Sequence, residues 1–184
     1  MKRILIFCMA VLAFVACDKA EDIHPWEQPY MGELSIEDPF YNTIFKSFMS
    51  GAMEGVSFHF YNENGEEELV FGGVLLHILF LDNQQLVTCT TPRNLGPKLW
   101  NWRFDTTTDV PRLYLTPEIY DGPNTFFHEV LDISEDGFTL KDSSVKADGT
   151  PRGNYVLYGL KRSSMSRKEF IRTYIEGNEE FPKR

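Results

Sequence analysis

Three cysteines in 184 residues, Cys8, Cys17 and Cys89, are too few for the disulfide frameworks that staple small secreted domains, so the fold must rest on its core. Basic charge is also scarce. Eighteen Lys and Arg against 27 Asp and Glu give a net charge of −9, which argues against nucleic acid as a partner for the surface as a whole. The four histidines, His24, His59, His77 and His128, fall at no helical or hairpin ligand spacing with a carboxylate, so no metal site is expected. His59 and His128 read as surface or barrel-lining residues, and His77 as a buried histidine bonded to a neighbour. There is no Gly-x-Ser-x-Gly motif and no glycine loop opening a helix; Gly72-Gly73 instead separates two strand candidates and suggests a bulge. Cys89, between Thr88 and Thr90, has the setting of a small core residue. Carboxylates cluster in Glu66-Glu67-Glu68 and from Asp132 to Asp136, yet nothing selects an acid and base pair. No catalytic residue and no cofactor are expected.

Apolar runs are short except at the start of the chain. Thirteen residues from Ile4 to Ala16 follow Lys2 and Arg3. As a helix they would cover about 20 Å, short of the roughly 30 Å hydrocarbon core, so the run reads as the apolar region of an export signal. Phe14-Val15-Ala16-Cys17 resembles the bacterial lipobox, with Phe14 where Leu is commoner. That resemblance implies removal of residues 1–16 and lipidation of Cys17 by two or three acyl chains, enough for stable attachment at about 0.8 kcal/mol per buried CH₂. The mature chain would then be extracytoplasmic, lipid-anchored to the bacterial cell envelope at the outer membrane. An ordinary signal cleaved after Ala16, leaving Cys17 as a free thiol, is the alternative. Without Lys2 and Arg3 the net charge moves from −9 to −11.

Residues 17–34 carry Asp18, Glu21, Asp22, Glu27 and Glu33 with Pro25 and Pro29 and show no periodicity, so they read as a flexible acidic tether. The start, from Cys17 to Asp22, is similar to the acidic export tags of Bacteroidetes surface lipoproteins; a solvated linker has the same composition. Residues 35–178 read as a single β-rich domain and 179–184 as a tail.

Within the domain, Asp38-Pro39 is a helix start, and Phe40, Tyr41, Ile44, Phe45, Phe48 and Met49 recur at spacings of three and four up to Gly51. Short strand candidates follow near 56–61, 66–71, 74–81, 84–90, 99–104, 112–116, 125–133, 138–141 and 155–161. Asn62 to Gly65, Asp82-Asn83, Glu135 to Gly137 and Asp148-Gly149 supply hairpin turns. Ser166 with Glu169 forms a capping box opening a final helix, with Phe170, Ile171, Tyr174 and Ile175 as its apolar stripe before Gly177. The basic cluster Lys161, Arg162, Arg167, Lys168 and Arg172 reads as a solvated helix face, or as a contact to an anionic partner or to the acidic part of the chain itself.

The predicted fold class is mostly β: an antiparallel meander, flanked by an N-terminal and a C-terminal helix, that closes into an up-and-down barrel or, alternatively, packs as a two-sheet sandwich. The runs from Leu99 to Asp105, Leu113-Tyr114-Leu115, and Phe127 to Leu140 resemble the lipocalin-like domains of Bacteroidetes lipoproteins, which implies a small barrel with a central cavity. Trp100, Trp102 and Phe104 alternate along one strand and share a face, giving a platform that stacks on sugar rings or closes a lipophilic cavity, or else forms a core beneath the flanking helices. The functional expectation is a non-catalytic binding protein for a small apolar ligand or glycan, with Trp100, Trp102 and Phe104 as ligand contacts. The alternative is an accessory subunit that docks a partner protein of the cell envelope.

Overall fold

Asp38 has a side chain short enough to bond its own downstream backbone, and in the computed structural model its Oδ1 accepts hydrogen bonds from Phe40 N at 2.9 Å and Tyr41 N at 3.4 Å. With Pro39 in the first turn, where a missing N–H costs nothing, this starts helix α1, Pro39–Phe48. The structure describes residues 24–90, 96–118, 126–145 and 151–176. Asp148-Gly149, Gly177 and Cys17 lie outside them.

Eight strands follow: β1 (Gly51–Tyr61), β2 (Glu67–Phe80), β3 (Gln85–Thr90), β4 (Lys98–Asp105), β5 (Arg112–Pro117), β6 (Phe126–Leu131), β7 (Gly137–Val145) and β8 (Pro151–Ser166). Each pairs antiparallel with the next, and β8 returns to β1, so the sheet closes as a barrel with no free edge. The sandwich alternative is thereby corrected. Nine strand candidates reduce to eight because β2 runs through Gly72-Gly73. Between Gly55↔Leu76 and Ser57↔Gly72, two steps along β1 match four along β2. Gly73 absorbs this bulge at φ +104°, a conformation that side chains with a Cβ rarely adopt.

The strand alternation sorts side chains into two apolar clusters. Inward-facing Met53, Ile78, Phe80, Leu86, Trp102, Phe104, Leu113, Val130, Phe138 and Leu160 meet Ile44, Phe45 and Phe48 of α1, which fills the end of the barrel where β2 ends and β7 begins. Outward-facing Leu79, Leu81, Val87, Cys89 and Leu99 are covered by the C-terminal segment. That segment starts with Ser166, whose Oγ accepts from Glu169 N at 3.2 Å. It forms α2 (Arg167–Phe170) and continues as a π-helical turn, Ile171–Ile175, with Phe170, Ile171 and Ile175 buried. Cys89 is a buried core residue, as its setting between two threonines suggests.

Residues 24–34 do not stand clear of the barrel as a free tether would. Trp26 packs against the outer cluster, and Leu34 and Ile36 are buried with the inner one. Asn42 Nδ2 donates to Ile36 O at 2.9 Å. Isolated apolar residues without periodicity give no sequence signal of docking, yet Trp26, Leu34 and Ile36 pack against the barrel while Met31 stays exposed.

The basic cluster divides: Lys161, Lys168 and Arg172 are exposed, while Arg162 and Arg167 are held within the fold. Arg167 is buried, with Nη1 donating to Met49 O at 3.0 Å and Phe80 O at 2.6 Å, Nη2 to Leu81 O at 3.0 Å, and Nε to Trp26 O. Burial pushes its pKa down to about 10, against the opposing charge of Asp82, so it stays cationic at neutral pH. Arg162 bonds Glu135 O at 2.7 Å and Ser47 O at 2.9 Å, and Lys161 pairs with Glu54 at 3.3 Å.

Candidate functional site: the barrel cavity

Because α1 fills only one end of the barrel, the rest of the interior holds an open cavity of about 330 Å³. Its apolar wall comes from Leu76 and Ile78 of β2, Trp100 of β4, Leu115 of β5, Phe126 of β6 and Leu140 of β7. Polar groups interrupt this wall at Thr88 and Thr90 on β3 and at His128, Asp142 and Tyr158 on β6, β7 and β8. Phe126 of the wall, and Leu69 and Phe71 at the start of β2 outside the lining, stand about half exposed and form an apolar rim. Phe71 packs edge-on to Phe60 at 6.0 Å between ring centroids.

The strand rule puts Trp100, Trp102 and Phe104 on one face of β4, but α1 divides them. Trp100 is half-buried in the cavity wall; its Nε1 donates to Thr88 Oγ1 at 2.8 Å, and its ring meets Phe126 edge-on at 6.3 Å. Trp102 and Phe104 lie beneath α1, each 5% exposed, with centroid distances of 5.5 Å and 4.6 Å to Phe45. Trp102 Nε1 is bonded to Asp82 O at 3.0 Å. Trp100 is thus the residue of the three that faces the cavity, and the other two brace its strand. They also border a second cleft of about 300 Å³ with Ser35, Ile36, Asn83 and Gln84.

Sequence reasoning did not single out Asp142 or Tyr158, and left His128 between surface and barrel lining. The structure places all three on the inner face of three consecutive strands. Glu129↔Lys141 is a register pair of β6 and β7, and His128 and Asp142 follow it by one step on each strand. Leu140↔Tyr158 and Asp142↔Val156 put Tyr158 diagonal to Asp142. The Tyr158 hydroxyl donates to Asp142 Oδ2 at 3.3 Å, and its ring lies edge-on to His128 at 6.2 Å. Burial, reinforced by the Asp142 charge, raises the Tyr158 pKa to about 12. Burial lowers that of His128, with Asp142 acting in the opposite direction. At neutral pH the site therefore presents a phenol and a neutral imidazole beside a carboxyl group. His128 Nδ1 and Thr90 Oγ1 are buried with no hydrogen-bond partner among the described residues. The signal for this pole was the alternation itself: Asp142 continues the inward series Phe138, Leu140 by one more step of two residues, where another apolar residue belongs.

The remaining histidines lie elsewhere. His24 Nδ1 accepts from Trp26 N at 3.3 Å, and His59 pairs with Glu67 at 2.7 Å on the outside of the barrel. His77 is buried as predicted, but its Nδ1 has no partner among the described residues, because it faces the apolar underside of the C-terminal segment, 5.3 Å from the Tyr174 ring. Among the described residues no group of three or more His, Cys, Asp or Glu could hold a metal ion.

No family model and no curated protein matches the chain. Among solved structures it is similar to a lipocalin-like protein from Bacteroides uniformis, at 11% sequence identity and a TM-score of 0.37, over 64% of this chain and 99% of that one. The barrel itself is read from the strand pairing of this chain.

Proposed function

We propose that this chain is a lipid-anchored, extracytoplasmic binding protein whose barrel takes up a small, mainly apolar ligand. The cavity of about 330 Å³ beside Trp100 carries this reading, since barrel interiors of this size normally fill with side chains unless a guest is to be held. The apolar rim at Leu69, Phe71 and Phe126 gives the guest a path inward. An apolar guest is favoured over a glycan because Trp102 is stacked against Phe45, leaving no paired tryptophan platform for a sugar ring. The anchor at Cys17 rests on the leader and on the four residues from Phe14 to Cys17.

One experiment addresses ligand and anchor together. The chain is expressed with its leader in a bacterial host fed radiolabelled palmitate, and the purified protein is titrated with N-phenyl-1-naphthylamine, a neutral apolar fluorophore. Label is expected on the wild type and absent from Cys17→Ser. The fluorophore is expected to bind with micromolar affinity and to lose about tenfold or more with Trp100→Ala, in a protein that still melts cooperatively. Label retained by Cys17→Ser would sink the anchor; a wild type that binds no fluorophore would sink the cavity reading.

A further inference from the structure

Besides the threonines of β3 and Lys98 at its border, the mainly apolar wall of the cavity is interrupted where β6, β7 and β8 bring His128, Asp142 and Tyr158 together. Asp142 is a poor choice for a barrel lining that has only to hold a greasy guest, because a carboxyl group facing an apolar cavity loses solvation that must be regained from partners. The partner the structure supplies is the Tyr158 hydroxyl, at 3.3 Å, and no ion pair to Asp142 is made among the described residues. A carboxylate offers about four acceptor positions, so most of its capacity is open. Beside it, the buried His128 Nδ1 also lacks a partner.

We infer that the guest is an amphipathic amine, whose alkyl or aryl body lies against Leu76, Trp100 and Leu140 and whose ammonium N–H groups are received by the Asp142 carboxylate. This rests on the ligand-binding reading above and specifies its head group. An ammonium has three donors and no acceptor, and so matches a cluster of open acceptors. A fatty acid would set its carboxylate against Asp142. Lys98, which also borders the cavity, has an exposed side chain that water already solvates, and it does not offset that repulsion. The net charge of −9 acts in the same direction by raising the local concentration of cations near the mouth.

Three probes with the same chain and different head groups separate the cavity from its polar pole: decylamine, decanol and decanoate, each titrated calorimetrically into the full chain at pH 7.5 below its micelle concentration. Decylamine is expected to bind about tenfold or more tighter than decanol, as one charge-assisted hydrogen bond predicts, and decanoate weakest. Asp142→Asn should bring decylamine to within about twofold of decanol while leaving decanol unchanged, and Tyr158→Phe should keep the amine preference. Equal binding of amine and alcohol by the wild type, or an undiminished amine preference in Asp142→Asn, overturns the head-group assignment and leaves the apolar cavity standing. Absence of binding by all three overturns both.

Discussion

At the level of single residues, one member of the basic cluster proved the most constrained cation among the described residues. Arg167 belongs to a cluster of five cations that reads as a solvated face, a contact to an anionic partner or a contact to the acidic part of the chain, but its guanidinium ties together the backbone of residues 26, 49, 80 and 81. Nothing in a one-dimensional charge cluster distinguishes a cation that faces water from one that faces carbonyls, because the carbonyls come from distant parts of the chain. His77 and His128 show the reverse limit: both were placed on strands correctly, but the cost of burying them could not be read. Burial holds each below the ordinary value of 6.5, opposed in part by Glu54 for His77 and by Asp142 for His128. The unfolded chain therefore binds protons near pH 6.5 that the folded chain refuses. Stability is full above that pH and falls as pH drops through 6.5 toward the lowered folded values. Urea midpoints measured from pH 7.5 to 5.0 should decline across this window, and the double variant His77→Leu, His128→Leu should flatten the decline. The carboxyl groups of Glu67, lowered by its hydrogen bonds to His59 and Tyr61, and of Asp105, lowered to about 2 by Thr107 and Arg103, add their own loss only at more acidic pH, so they do not confound the slope. A decline that persists unchanged in the double variant would refute the assignment.

Elements were legible where local chemistry decides them. The Asp38 cap, the Ser166 cap and the Asn62 and Asp82 turns all form as their side chains dictate, with Asn62 Oδ1 accepting from Asn64 N at 2.9 Å and Asp82 Oδ1 from Gln85 N at 2.7 Å. The exception is β2, read as two strands because Gly72-Gly73 looks like punctuation; only the pairing with β1 reveals that the ladder continues past the bulge. The apolar stripe of α1 predicted a buried face but not what it would be buried in. It serves as a plug: Phe45 is fully buried among Phe48, Phe80, Trp102, Phe104 and Phe138. Truncating it removes an aromatic ring that no neighbour can replace, so Phe45→Ala should cost about 3–5 kcal/mol by urea unfolding. Phe40, on the opposite face of α1 and 57% exposed, is the control, and Phe40→Ala should change stability by less than about 0.5 kcal/mol. Equal effects of the two substitutions would mean that α1 does not fill the barrel.

For the whole molecule, the period-2 pattern announced strands with one face inward, but alternation is the same in a barrel and in a sandwich. What decides between them is the pairing of β1 with β8, a contact between the two ends of the domain that no local pattern encodes. The same limit hid the docking of residues 24–34. A free tether can be removed at no cost, whereas this segment supplies Trp26 O to Arg167, covers the outer cluster with the Trp26 ring and buries Leu34. Burying a leucine contributes about 2 kcal/mol, and a carbonyl withdrawn from a buried cation adds roughly 1–3. A chain beginning at residue 35 should therefore melt roughly 6–20 °C below one beginning at residue 24, since about 1 kcal/mol moves the midpoint of a domain this size by about 2–4 °C. The comparison is made by calorimetry on the two proteins side by side. Arg167→Met in the shorter chain should cost less than in the longer one, because one of its four carbonyl partners is already gone. Coincident melts of the two chains would return residues 24–34 to the role of a free linker and leave Arg167 held by Met49, Phe80 and Leu81 alone.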